Sequence, residues 1–225
     1  IGLQVVAETI KNSIKANKIP NAYLFTGIRG IGKTTTAIIV AKALNCSNGL
    51  ENKCKIKCEN CDAITSSSHI DVLEMDAASK TGVDDVRDLI EFSRYPPTSA
   101  KYKIFIIDEV HMLSKQAFNA LLKTLEEPPL QVVFILATTD PQRVLPTILS
   151  RCMRFDFRRI GLHDLESHLS DIASKEGIVI NKEAILLIAK HSQGGLRDAE
   201  SLLDQVSLLT APITQSAIIN LTGAI

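Results

Sequence analysis

The stretch of sequence that decides the fold is a glycine-rich run, Gly27-Ile28-Arg29-Gly30-Ile31-Gly32-Lys33-Thr34. It fits the pattern G-x-x-x-x-G-K-[ST]; an apolar run at 22–26 before it predicts a buried strand, and residues 33–44 after it predict a helix. The glycines let backbone N–H groups close around phosphate oxygens, and the amino end of the helix adds positive potential. We therefore expect the whole run to bind a nucleotide, with Lys33 on the β- and γ-phosphates, Thr34 on Mg²⁺ and Thr35 near the α-phosphate.

A second acidic element follows the apolar run 104–107, where Asp108 and Glu109 stand side by side. Ligands of open α/β sheets bind at the carboxyl ends of the strands, so Asp108 can hold Mg²⁺ opposite Thr34 there. Glu109 is then the expected general base that polarises the attacking water. Without the phosphate loop, a strand that simply ends in solvated acids would be the favoured interpretation.

Strands and helices alternate along the first part of the chain, which predicts a parallel sheet covered on both faces. The predicted strands are 22–26, 71–75, 104–108, 132–138 and 153–157. The predicted helices around them are 4–17, 33–44, 83–94 and 114–127. After the sheet only helical periodicity remains, at 164–175, 182–192, 196–209 and 214–221. We predict an α/β fold, with a nucleotide-binding domain at 1–160 whose five-stranded parallel sheet is flanked by helices, and a small all-helical domain at 161–225.

Composition limits the other possibilities. Lys and Arg together equal Asp and Glu at 25 each, so net charge favours neither nucleic acid nor a membrane surface, and any such contact must come from local patches. Apolar runs such as 132–137 are too short to cross a bilayer, and no signal peptide is visible, so we expect a cytoplasmic protein without membrane contact. The chain begins with Ile rather than Met, which predicts a piece of a longer protein.

Four of the five cysteines lie close together, at Cys46, Cys54, Cys58 and Cys61. Four thiolates in a short loop suit a closed tetrahedral zinc site, which is structural because no ligand position stays open for a substrate. We therefore predict a zinc-binding insertion at 46–61 that pins a loop with little core of its own. The alternative is four free thiols in a mobile loop. Cys152 stands apart, and we expect it to be buried and free of metal.

The tetrapeptide Asp108-Glu109-Val110-His111 also matches the D-E-x-H signature of some helicases. Those enzymes complete their ATP site with a second α/β domain, whereas the rest of this chain is helical and too short for one. We therefore reject a helicase and assign His111 a structural or positioning role.

The order of motifs resembles that of a known family. After the phosphate loop and the four-cysteine insertion come Asp-Glu-Val-His at 108–111, Leu-Leu-Lys-Thr-Leu-Glu-Glu-Pro-Pro at 121–129, Ala-Thr-Thr-Asp at 137–140, Ser-Arg-Cys at 150–152 and Gly-Leu-Arg-Asp-Ala at 195–199. The chain is similar over essentially its whole length to the gamma/tau subunits of the bacterial DNA polymerase III clamp loader, which are AAA+ ATPases. The Ser-Arg-Cys triplet and the cysteine insertion together are typical of clamp-loader subunits.

The resemblance implies further site residues. Thr139 corresponds to the sensor-1 position near the γ-phosphate, on the strand between the phosphate-loop strand and the acidic strand, with Thr138 as the next candidate. Arg151 corresponds to an arginine finger that enters the ATP site of a neighbouring subunit. Arg197 corresponds to sensor 2, which reaches the nucleotide of its own chain. An arginine suits both tasks because it is always charged and presents a planar fork to phosphate oxygens.

The resemblance also implies a function. ATP and Mg²⁺ binding, followed by hydrolysis, would drive the loading of a sliding clamp onto primed DNA as part of a DNA-directed DNA polymerase holoenzyme. The implied partners are other clamp-loader subunits in a ring or spiral hetero-oligomer, the clamp, and primer–template DNA held through its phosphates; the isolated piece could remain a monomer. Two basic runs could contribute to a DNA contact, although solvated surface is the favoured interpretation for most of their residues: Lys101 and Lys103, and Arg151, Arg154, Arg158 and Arg159.

Three alternatives differ from this function in identifiable ways. A different AAA+ machine, such as a protein remodeller or a branch-migration motor, would generally lack the cysteine insertion. A non-hydrolysing loader subunit would have a degraded phosphate loop, and Lys33, Thr34, Asp108 and Glu109 are intact. A small P-loop kinase would need an acceptor pocket, for which the sequence offers no sign.

Overall fold

Five parallel strands form a single sheet in the spatial order β2-β3-β4-β1-β5. The strands are β1 (Ala22–Thr26), β2 (Val72–Asp76), β3 (Lys103–Asp108), β4 (Val132–Thr138) and β5 (Met153–Asp156). The computed structural model describes residues 4–49, 58–209 and 212–223. Every residue of the two strands β1 and β4 is buried, as expected for apolar runs at the centre of a sheet covered on both faces.

Helices and short turns connect the strands. The helices of this part of the chain are α1 (Gln4–Lys15), α2 (Lys33–Asn45), α3 (Glu59–Thr65), α4 (Val83–Ser93), α5 (Lys115–Glu126) and α6 (Pro146–Leu149). Ser114 caps the amino end of α5, because its side-chain oxygen accepts a hydrogen bond from the backbone N–H of Ala117. Phe105 and Phe134 stack with ring centroids 5.3 Å apart and join β3 to β4 inside the core.

The strand register aligns the carboxyl ends of the sheet, where the predicted site residues lie. Thr26, the last residue of β1, pairs with Thr138, the last residue of β4. Asp76 at the end of β2 pairs with Asp108 at the end of β3. The strand β4 therefore lies between the phosphate-loop strand and the acidic strand, as the resemblance implies for the sensor-1 strand.

The second compact unit contains the helices that follow the sheet. These are α7 (Leu162–Lys175), α8 (Lys182–His191), α9 (Leu196–Ser207) and α10 (Gln215–Thr222), with one isolated parallel bridge between Ile180 and Ile213. This helical unit begins at Phe157 and also includes the phosphate-loop residues Ile28–Gly32, which pack with it. The sheet unit consists of Val5–Gly27 and Lys33–Asp156.

The predicted α/β fold is confirmed, with small differences at element ends. Two short helices, α3 and α6, are absent from the prediction, and β5 ends one residue earlier than predicted. The strand β2 begins and ends one residue later than predicted, at Val72 and Asp76. Within the described part of the chain, no helix is both long and apolar enough to span a membrane.

Asp71 is fully buried and acts as a polar anchor for the segment that leads into β3. Its carboxylate accepts hydrogen bonds from the backbone N–H groups of Thr98, Ser99 and Ala100 at 2.7–3.0 Å, and from the Ser99 hydroxyl at 3.2 Å. Burial alone would raise the pKa of Asp71, but these donors outweigh it and the pKa is lowered. The buried ammonium of Lys103 is attracted to the same carboxylate.

Replacing Asp71 by Ala should lower the free energy of unfolding by about 3–5 kcal/mol. The change leaves three backbone N–H groups without their acceptor and removes the negative charge that attracts the buried ammonium of Lys103. Urea unfolding at neutral pH measures the loss, and Asp88→Ala, an exposed change in the same unit, is the control. Because the folded pKa of Asp71 is depressed, its stabilisation is fully present above the pKa of an ordinary Asp and is lost as the pH falls through the folded pKa. The difference in the free energy of unfolding between wild type and Asp71→Ala should therefore shrink in acid. Equal stability of the two proteins at neutral pH would contradict a stabilising role of the Asp71 carboxylate.

Candidate nucleotide site

The phosphate loop takes a backbone conformation that requires glycine at Gly30. Its φ of +72° lies in the left-handed region, and a Cβ added there would meet the Cβ of Arg197 at 2.8 Å. The Arg197 backbone N–H also donates to the Gly30 carbonyl oxygen at 3.1 Å. The tip of the loop therefore packs against the first turn of α9, and that turn carries the predicted sensor-2 residue.

The remaining loop positions differ in exposure. Ile31 is buried, Ile28 and Gly32 are half-buried, and the side chains of Arg29 and Thr35 are exposed. Ile28 and Arg29 line an open pocket of about 640 Å³ together with residues of the helical unit.

Lys33 begins α2 and is the buried cation of the site, with 6% of its surface exposed. Its Nζ donates to the Gly27 carbonyl oxygen at 3.0 Å. Burial lowers the pKa of Lys33, and the negative charges of Glu109 and Asp108 oppose that shift. A buried ammonium near two carboxylates at the mouth of a phosphate loop is suited to binding phosphate oxygens.

Thr34 and Asp108 are brought into direct contact. The Thr34 hydroxyl donates to Asp108 Oδ2, while Asp108 Oδ1 accepts the backbone N–H of Glu109 at 2.8 Å. A hydroxyl and a carboxylate at one point are the hard oxygen ligands that Mg²⁺ prefers alongside phosphate and water. The donor set of these two residues therefore fits the predicted magnesium site.

Glu109 follows β3 in a left-handed backbone conformation, with φ 46° and ψ 44°. Its Oε2 accepts hydrogen bonds from the Thr139 hydroxyl at 2.8 Å and from the Thr139 backbone N–H at 3.2 Å. The Nδ1 of His111 lies 3.3 Å from the same oxygen. Non-glycine residues with positive φ are uncommon and are often found at functional sites. The predicted base and the predicted sensor-1 residue are thus in contact, and Thr139 lies just beyond the end of β4.

Arg151 lies in the turn between α6 and β5, and the structure does not bring it to this cluster. One of its guanidinium nitrogens contacts Glu126 Oε1 at 2.5 Å, and the other donates to the Thr147 carbonyl oxygen. Its side chain is about one-third exposed. Arg197 is exposed as well, and its described contact is the backbone bond to Gly30.

The cysteine cluster is separate from the nucleotide site. The sulfur atoms of Cys46, Cys58 and Cys61 lie within 4.8 Å of one another, and Cys58 and Cys61 are buried. The Ser47 hydroxyl, 3.2 Å from Cys58 Sγ, and backbone and side-chain hydrogen bonds lower the pKa of Cys58 to about 6. Three converging sulfurs, one with thiolate character near neutral pH, fit a zinc ion. The fourth predicted ligand, Cys54, lies outside the described residues.

Cys152 is half-buried, whereas a buried thiol is predicted from the sequence. Burial raises its pKa to about 12, and it lies outside the group of converging sulfurs.

Most residues of the nucleotide cluster can be identified from the sequence, but the sequence does not predict that His111 joins them. The Asp-Glu-x-His spacing is the available signal, since one short turn after Glu109 returns His111 towards the sheet edge.

Comparison with known proteins identifies the family. Residues 2–161 match the family described as DNA polymerase III, delta subunit, and residues 164–208 match the DNA polymerase III clamp loader subunit, ATPase lid domain. The chain is 43% identical over 224 residues to DNA polymerase III subunit tau/gamma of Haemophilus influenzae, covering 99% of this chain and 33% of that protein. It is 45% identical over 220 residues to DNA polymerase III subunit gamma of Buchnera aphidicola, covering 97% of this chain and 59% of that protein.

Among solved structures, the RuvB Holliday junction branch migration motor of Thermotoga maritima aligns with a TM-score of 0.70 at 19% identity. The alignment covers 99% of this chain and 69% of that one, and at this identity it shows a common AAA+ fold. The chain spans between a third and three-fifths of the length of the two polymerase relatives. The chain therefore belongs to the family of DNA polymerase III clamp-loader subunits of the gamma/tau type.

Proposed function

We propose that the chain is the ATP-hydrolysing part of a clamp-loader motor subunit, which couples ATP binding and hydrolysis to the placement of a sliding clamp on primed DNA. The main support for the proposal is a cluster of five side chains in the sheet unit: Lys33, Thr34, Asp108, Glu109 and Thr139. The chain that carries this cluster belongs to a clamp-loader family. A non-hydrolysing subunit has no need for a buried lysine beside two carboxylates, so this cluster favours an active ATPase.

Each residue of the cluster has a role that follows from its chemistry. The backbone of Gly27–Gly32 and the amino end of α2 bind the phosphates, and Lys33 adds its positive charge. Thr34 and Asp108 would hold Mg²⁺, which when bound neutralises charge on the β- and γ-phosphate oxygens. Glu109 orients water for attack on the γ-phosphate and accepts its proton, with Thr139 beside it.

Two arginines are proposed to link the site to conformation and assembly. Arg197 lies on the helix whose first turn bonds to the phosphate loop, so a change at the loop can be transmitted to the helical unit through the Gly30 contact. Arg151 is proposed to act in the site of a neighbouring subunit. This role requires it to leave Glu126, and an exposed ion pair costs little to break because solvent screens it.

Contact with DNA is supported by one groove of the sheet unit. The groove, of about 670 Å³ between α4 and α5, is lined by three cationic residues, Arg87, Arg94 and Lys123, and one carboxylate, Glu91. Cationic side chains of this kind bind the phosphates of DNA without recognising its base sequence. Lys103, which the sequence offers as a possible DNA contact, is 1% exposed and lies over the Phe92 ring, so it is not available for that purpose.

The test of the proposed function is ATP hydrolysis by the complete natural chain assembled with partner loader subunits. The rate is measured alone, with the clamp, with primed DNA, and with both. We expect strong stimulation that requires both clamp and primed DNA. A rate indifferent to clamp and DNA would leave an AAA+ ATPase without a clamp-loading function.

We also propose that the three converging cysteines, with Cys54, hold a structural zinc ion. The complete chain should contain about one zinc per chain, and Cys58→Ser should lose it because a hydroxyl is a poor ligand in a thiolate site. Elemental analysis of purified protein measures the content, and Cys152→Ser is the matched control that should keep its zinc. Wild-type zinc content in Cys58→Ser would refute the assignment of Cys58 as a ligand.

A further inference from the structure

One histidine lies beside the proposed base Glu109 without a role in binding phosphate or Mg²⁺. His111 lies in a single 3₁₀ turn, Val110–Met112, directly after Glu109. Val110 in the turn and Leu113 directly after it are 0% and 5% exposed, so packing in the core holds the turn in place. The Met112 N–H donates to the Glu109 carbonyl oxygen at 2.8 Å, which closes the turn directly onto the proposed base.

The ring nitrogen Nδ1 of His111 bridges two residues of the site. It lies 2.9 Å from Thr138 Oγ1 and 3.3 Å from Glu109 Oε2. Thr138 is fully buried, and its hydroxyl oxygen also accepts the backbone N–H of Asp140 at 3.0 Å. The bridge therefore connects the end of β4 to the carboxylate that follows β3.

The chemistry of the partners decides which atom carries the proton. An ionised carboxylate can only accept hydrogen bonds, so a favourable contact with Glu109 requires a hydrogen on Nδ1. The Thr138 hydroxyl oxygen can accept from Nδ1–H and from Asp140 N–H together. With Nδ1 as the donor, Glu109 Oε2 receives hydrogen bonds from Thr139 on one side and lies beside the histidine donor on the other.

We propose that His111 is a positioning residue for ATP hydrolysis, which acts through Glu109 by holding Oε2 and thereby orienting the carboxylate towards the attacking water. This inference rests on the proposed function, because it presumes that Glu109 is the base. A left-handed residue such as Glu109 needs its surroundings to maintain its conformation, and the His111 bridge supplies one such restraint. Thr138 in turn orients the histidine through its contact with Nδ1.

The test uses the complete chain assembled with partner subunits, clamp and primed DNA. His111→Ala should lower kcat by about tenfold to a hundredfold with little change in KM, because misplacing a reacting group by about 1 Å has an effect of this size. His111→Asn places an amide N–H near the position of Nδ1 and should recover most of the lost rate. His168→Ala is the control, since His168 forms a similar pair with Glu200 at 3.1 Å in the helical unit.

A second comparison separates positioning from a general structural effect. In a Glu109→Gln background, measured under single-turnover conditions, adding His111→Ala should change the rate little, because the group it orients has gone. The same fold-loss in both backgrounds would overturn the proposal, as would an unchanged kcat for His111→Ala. If the wild-type assembly hydrolyses ATP and either of these two results is found, only the role of His111 is overturned. If the wild-type assembly does not hydrolyse ATP, the proposed function is overturned as well.

Discussion

Replacing Glu109 by Gln should lower kcat for ATP hydrolysis by about 10²–10⁴-fold in the assembled loader, the range for loss of a positioned general base. Gln keeps nearly the same shape but cannot accept a proton from water, so the loss falls on the chemical step. Binding of ATP should persist, because Lys33, Thr34 and the loop backbone are unchanged. Rates and nucleotide affinity are measured on the same preparation.

The control for this prediction is Glu183→Gln, which makes the same chemical change at an exposed carboxylate in the first turn of α8. Its rate should match that of wild type. If Glu109→Gln hydrolysed ATP at the wild-type rate, Glu109 would not be the base, whatever the family of the chain.

Replacing Arg151 by Ala should lower ATP hydrolysis by about 10³–10⁵-fold in assemblies where every subunit carries the change, as for arginine fingers in related phosphoryl transfer. The physical reason is the loss of a fixed positive charge next to the charge that develops on the transferred phosphoryl group. In the structure Arg151 pairs with Glu126 of its own chain, away from Lys33 and its neighbours. Arg143→Ala, an exposed change in the same region, is the control.

A mixing experiment tests whether Arg151 acts on a neighbouring subunit. If Arg151 acts in trans, chains with Arg151→Ala would have an intact site but no finger, and chains with Lys33→Ala would have a finger but no working site. Assemblies that contain both should recover hydrolysis that neither variant shows alone. Failure to recover, or full hydrolysis by a proven monomer of the wild-type chain, would contradict action in trans.

The nucleotide cluster can be predicted from the sequence to the extent that its motifs are local. The phosphate loop is contiguous with the strand before it and the helix after it, so a single stretch identifies Lys33 and Thr34. Asp108 and Glu109 are identified because a strand of parallel sheet ends there. Their meeting with Thr34 follows from the rule that the carboxyl ends of parallel strands share one edge.

The contacts between β3 and β4 cannot be predicted in the same way. Thr138 and Thr139 lie about thirty residues from His111 and Glu109, and they meet only because the two strands are neighbours in a particular register. Shifting that register by one residue would turn each side chain to the other face of the sheet. The resemblance points to Thr139, and the Asp-Glu-x-His spacing places His111 near Glu109, but neither predicts the contact between His111 and Thr138.

Asp71 and Arg151 show two other limits of prediction from the sequence. The partners of Asp71 are backbone N–H groups, which leave no mark in the residue types, so the sequence pattern indicates only the start of a strand there. Arg151 is identified by family resemblance alone, since an arginine in a surface turn has no chemical signature of its own. Its pairing with Glu126 depends on the packing of α5 near the turn.

Loading of the sliding clamp onto circular primed DNA by the complete loader is the most direct test of the proposed motor function. Retention of the clamp on the circle is followed with ATP, without ATP, and with Lys33→Ala in place of the wild-type chain. We expect stable loading only with ATP and the wild-type chain. Loading that proceeds without ATP, or equally well with Lys33→Ala, would contradict the claim that this chain supplies the motor.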